Sequence, residues 1–76
     1  MGLFADGKMK IDEERLHMVV YAIGRVVIEI RGEGKSVSDA EIIERLEHYR
    51  KLETNTIGKG VYRDAAEVIR SVKWRP

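Results

Sequence analysis

The feature that most constrains this chain is a run of apolar residues spaced in threes and fours: Leu16, Val19, Val20, Ile23, Val26, Val27 and Ile30. At about 3.6 residues per turn they fall on one stripe of an α-helix. Their β-branched character would suit a strand as well. Strand alternation, however, would put Val26 and Val27 on opposite faces, and a run from 12 to 31 is too long for an ordinary strand. Asp12 stands where an N-cap is wanted, and Glu13 and Glu14 follow in the first turn, where acids complement the helix dipole. Gly24 lies inside the run at a cost of about 1 kcal/mol relative to alanine, which predicts a close helix–helix approach there.

The segment Arg31-Gly-Glu-Gly-Lys-Ser-Val-Ser38 reads as a loop from its glycines and serines. Ser38-Asp-Ala-Glu41 fits a capping box, and the helix it opens turns Ile42, Ile43, Leu46 and Tyr49 inward. Thr54 to Gly60 reads as a seven-residue break. A third helix then carries Val61, Ala65, Val68, Ile69 and Val72 on one face, with Trp74 near its end. The expectation is an all-α, three-helix domain over 11–76, with helices near 12–31, 39–53 and 60–73 and residues 1–10 as a flexible N-terminal arm.

A chain of 76 residues hides only roughly 60% of the surface its unfolded form exposes, so such domains often need outside support. The absence of cysteine excludes disulfides, iron–sulfur clusters, cysteine zinc sites and thiol catalysis. Two histidines, His17 and His48, are too few for a histidine-only zinc site, and no cofactor is implied. Self-association remains open. Met18, Tyr21 and Ile28 wind to the side of the first helix opposite its main stripe, beside Glu14 and Arg25. They are either scattered surface apolars or, with Gly24, the seam of a helical homodimer.

A net charge of +1 argues against a general affinity for nucleic acid or anionic membrane. Residues 59–75 nevertheless carry five bases against two acids, a local +3. Arg63, Arg70 and Lys73 on the third helix are therefore candidate phosphate contacts for weak, sequence-indifferent nucleic-acid binding. A helix-turn-helix is disfavoured by the seven-residue break, since that motif uses a turn of three or four. No apolar run approaches the ~20 residues that span a bilayer, and no secretory signal is visible, so a cytoplasmic protein without membrane contact is expected.

No catalytic signature emerges. Gly32-Glu-Gly34-Lys-Ser36 has the wrong glycine spacing for a phosphate loop and follows a helix, not a strand. Glu13/Glu14, Glu44/Glu47 and Asp64/Glu67 sit at spacings usual for solvated helix faces. His17 and His48 read either as exposed or half-buried polar residues or as pH-sensing groups.

Read with its spacings, a longer pattern stands out: Gly24-x-x-Val27, Gly32-x-Gly34-x-x-Val37, Ile42-Ile43-x-x-Leu46-x-His48, Leu52-Glu53-Thr54 and Val61-x-Arg63-x-x-x-Glu67-Val68-Ile69. Over roughly residues 20–72 it resembles the small enterobacterial AriR-like family of biofilm-development and acid-resistance connectors. Asp12-Glu13 and Gly24-Arg-Val-Val-Ile-Glu-Ile-Arg31 are also similar to the small fumarase D proteins. The first resemblance implies an all-helical bacterial homodimer, a regulatory protein of the stress response. It would act on a two-component pathway through a protein partner such as a response regulator, with weak DNA binding besides. The second implies hydration of fumarate to malate. That dianion calls for several converging cations and a positioned acid–base group, which these residues do not supply. Nor does the chain have the iron–sulfur cluster or serine-loop signature of larger fumarases.

Overall fold

The computed structural model describes residues 12–71, which form three α-helices and no strand. Residues 1–10, Val72, Lys73 and Trp74 lie outside the described residues. The helices are α1 (Glu13–Gly32), α2 (Asp39–Leu52) and α3 (Thr56–Ser71).

Each start has a local cause. Asp12 Oδ1 accepts the Arg15 backbone N–H at 2.7 Å, as its N-cap position predicts. Ser38 Oγ accepts from Glu41 N–H at 3.2 Å, one half of the expected capping box; the return bond from the Ser38 backbone N–H to the Glu41 carboxylate is not formed. Between these two starts, α1 ends at Gly32 and is capped through Gly34. Its φ of 80° lets the Lys35 N–H reach back to the Ile30 carbonyl and its own N–H to that of Arg31.

The third helix departs from the sequence expectation. It begins at Thr56, four residues earlier than 60, because Asn55 Oδ1 accepts the N–H groups of Ile57 at 2.8 Å and Gly58 at 3.3 Å. Gly58 and Gly60 are packing positions, not breakers. A Cβ on Gly58 would meet the Glu53 side chain at 2.7 Å, and one on Gly60 would meet Arg15 Nη1 at 2.9 Å. The α2–α3 connection is therefore only residues 53–55, and turn length no longer argues against a helix-turn-helix.

The core takes Val19, Ala22, Val26 and Ile30 from α1, Ile42 and Leu46 from α2, and Val61, Ala65, Ala66 and Val68 from α3. Fully burying a side chain the size of Leu46 or Ile30 contributes about 1.5–3 kcal/mol. Fully buried Ala65 and Ala66 keep the inner face of α3 slim, so its backbone can lie close to the other helices. Two inward expectations on α1 are corrected. Val20 is 58% exposed, because it lies at the edge of the stripe past Ile23, and Leu16 is only half-buried. Nor does either of the other described helices approach Gly24, where an added Cβ would meet nothing within 4 Å among the described residues.

Candidate functional site

The surface of interest is the part of α1 that the core leaves uncovered. Tyr21 and Ile28 are 70% and 72% exposed, with Met18 and Val20 also open to solvent. The structure thus sets Met18, Tyr21 and Ile28 away from the core, as the winding predicts, and keeps Gly24 on the open side with them.

Toward α3 this face runs into a groove of about 370 Å³. Met18, Tyr21 and Ala22 line it from α1, and Ile57, Gly58, Val61 and Tyr62 from α3. Exposed Ile57 extends the apolar surface beyond the groove. Gly58 and Glu53 meet in the groove lining, where a side chain at 58 would collide with the glutamate.

The charged groups at the groove's rim are already engaged. Arg25 Nε donates to Glu29 Oε2 at 3.0 Å, and its guanidinium lies 4.9 Å from the centre of the Tyr49 ring. Glu53 Oε2 accepts the Asn55 backbone N–H at 3.1 Å. His17, exposed on α1, completes the lining. One committed cation, one committed carboxylate and a histidine do not make the converging set that a small dianion requires.

Behind the groove, a polar cluster pins α1 to α2. Tyr49 Oη donates to Glu29 Oε1 at 2.7 Å, while Arg45 holds Glu33 through two bonds of 2.7 and 2.9 Å. The Tyr49 hydroxyl, helped by Arg25 and Arg45, holds the Glu29 carboxyl below its ordinary range; Arg45 does the same for Glu33. The Tyr49 phenol is in turn pushed up by its bond to Glu29. Tyr49 also stacks on Tyr62 of α3 at 5.6 Å, so one ring ties all three helices together. These contacts were not anticipated from the sequence, where Tyr49 read simply as an inward apolar position.

His48 is exposed beside a shallow polar depression formed with Lys35, Glu41, Glu44 and Arg45. Among the described residues no three His, Asp or Glu side chains gather as a metal-binding group.

The basic candidates are engaged by their neighbours. Lys59, Arg63 and Arg70 share the outer row of α3, but Arg63 lies 3.3 Å from Asp64 and Arg70 lies 3.3 Å from Glu47. Glu47 is held low in pKa chiefly by its bond from Arg50, with Arg70 adding to it. Lys73 lies outside the described residues. No described helix is long and apolar enough to cross a membrane. No protein-family model, curated protein or solved structure matches this chain.

Proposed function

We propose that the chain is a non-enzymatic regulatory module that works by protein contact: a cytoplasmic homodimer built through α1, with the α1–α3 groove left to a protein partner. The observation that carries this reading is the set of exposed apolar side chains, Ile28, Tyr21, Met18 and Ile57, around a groove whose Arg25 is paired with Glu29 and whose Glu53 is bonded to the Asn55 backbone N–H. Large exposed apolar patches of this kind mark interaction sites on soluble domains. The likeness to the AriR-like connectors gives the partner its class, a response regulator of two-component signalling in acid resistance and biofilm control.

The test has two arms on the purified full-length chain. Sedimentation should give a dimer, and a response regulator recovered from cell lysate should be lost with Ile57→Glu while the dimer persists. Conversion of fumarate to malate by the same preparation would instead support the fumarase D-like hydratase reading and overturn this one.

A second reading, weak DNA binding, draws on the three-residue α2–α3 connection and on the row Lys59, Arg63 and Arg70. Such binding would be indifferent to sequence and largely lost near physiological salt, since each neutralised phosphate adds about 0.9 to the log–log salt slope. Fluorescence anisotropy with two unrelated duplexes across a salt series tests it. Strong preference for one duplex would count against it.

A further inference from the structure

The uncovered side of α1 is chemically ordered from end to end. Starting at Glu13 and stepping by four, three, four, three and four, the helix presents Glu13, His17, Val20, Gly24, Val27 and Arg31, of which only Val27 is half-buried, packed against the edge of the core. At about 100° per residue these six fall within roughly 80° of one another, the 3–4 spacing by which one helix packs along another. Tyr21 and Ile28 flank the row on its outer side, next to Glu14.

The charges at its two ends have no partners among the described residues. Arg15 pairs with Asp64, Arg25 with Glu29, and Glu29 also with Arg45, whereas Glu13, Glu14 and Arg31 pair with none. Among the described residues the row therefore runs from an acid without an ion-pair partner, through exposed Val20 and open Gly24, to a base without one.

We infer that a second copy of this chain covers this row, with the two α1 helices antiparallel about a twofold axis level with Ala22. The inference rests on the dimer proposed above and specifies its geometry. Glu13 and Arg31 each lie nine residues from Ala22, about 13.5 Å along the axis, so each Glu13 comes level with the partner's Arg31. In the same register Val20 and Gly24 are each two residues from the axis. The exposed Val20 side chain then sits over the partner's Gly24, which no other described element approaches. His17 faces the partner's Val27, and the two Tyr21 rings meet beside the axis. A parallel pair would set Glu13 against Glu13, Arg31 against Arg31 and Gly24 against Gly24, joining like charges and leaving a gap. Antiparallel pairing also opposes the helix dipoles. Met18 falls outside this seam and stays with the α1–α3 groove, while His17 and Tyr21 border both.

The chain has no cysteine, so introduced thiols report the register directly. Full-length Glu13→Cys and Arg31→Cys proteins, mixed and mildly oxidised, should form the mixed disulfide, with neither cross-linking when alone. A Glu13→Cys self-cross-link, or a dimer in which the mixture gives no disulfide, would overturn the antiparallel register while leaving the dimer standing. Wild-type protein that sediments as a monomer would overturn both.

Charge reversal gives a second readout that needs no oxidation. Glu13→Arg and Arg31→Glu should each weaken self-association at low salt by roughly tenfold, because two attractive pairs per dimer become repulsive. Mixed together they should recover the affinity as a heterodimer. Failure of the mixture to recover it would again count against the register.

Discussion

The Tyr49 hydroxyl donates to Glu29 Oε1 across 2.7 Å, and through this bond the last third of α2 is fastened to the last third of α1. The bond is half-buried, one partner is charged, and Arg25 and Arg45 converge on the same carboxylate. Helix packing alone would leave α1 and α2 free to slide along their apolar stripes. A directional bond to one carboxylate fixes their register.

Tyr49→Phe removes this bond and keeps the ring that stacks on Tyr62. The expected loss is roughly 1–2 kcal/mol, toward the lower part of the range for a hydrogen bond to a charged group because the pair is only half-buried. Urea unfolding should show a lower midpoint with an unchanged slope. The Glu29 carboxyl should also titrate higher in the variant, since the Tyr49 bond is the chief cause of its depression. Its carboxyl chemical shift followed against pH checks this.

Stability should depend on acid in a definite direction. Glu29, Glu33 and Glu47 are all held below the ordinary value of 4.5, chiefly by bonds from Tyr49, Arg45 and Arg50 respectively. A carboxyl whose folded pKa lies below its unfolded one contributes stability that is complete above the unfolded value and is lost as pH falls through the folded value. The melting temperature should therefore hold steady down to about pH 5 and decline below it. Glu29→Gln should flatten that decline. A melting temperature unchanged between about pH 5 and pH 3 would contradict the linkage.

The helices were legible wherever periodicity and a cap agreed. Asp12 and Ser38 both announced their helices, and the positions Val19, Val26, Ile30 and Leu46 followed from spacing alone. Val20 was misplaced because a stripe of threes and fours is wider than the core it faces, and the residue at its edge is left outside. The start of α3 was hidden for a different reason. Glycine reads as a breaker when only the chain is seen, yet Gly58 and Gly60 are set by Glu53 and Arg15, neighbours that sequence distance conceals. The Tyr49 cluster was equally out of reach, since nothing in the spacing of α1 and α2 says that Glu29 and Tyr49 meet.

Asn55 is the signal that would have placed α3 correctly, and its removal should shorten the helix. Its side chain serves the free N–H groups of Ile57 and Gly58. Asn55→Ala should cost about 1 kcal/mol, as the loss of an N-cap does. Because Ile57 and Gly58 line the groove, fraying of this turn would also loosen its α3 wall. Hydrogen exchange should quicken at residues 57–60 and remain unchanged in the middle of α1. Asn55→Asp should retain the cap.

Two glycines at the end of α1 should respond to the same substitution with opposite signs. Gly34 holds a φ of 80°, and this left-handed turn is what lets the Lys35 N–H reach the Ile30 carbonyl. Alanine there keeps the open space but must take up a conformation costing roughly 1–2 kcal/mol, or else give up the capping bonds. Gly32 closes the helix with no positive φ, and an added Cβ would meet nothing within 4 Å. Gly32→Ala should therefore gain about 0.5–1 kcal/mol by restricting the unfolded chain and favouring the helix. Urea midpoints should move down for Gly34→Ala and up for Gly32→Ala, with equal slopes. If both fell, the last turn of α1 would need a packing partner at Gly32 that the fold described here does not supply.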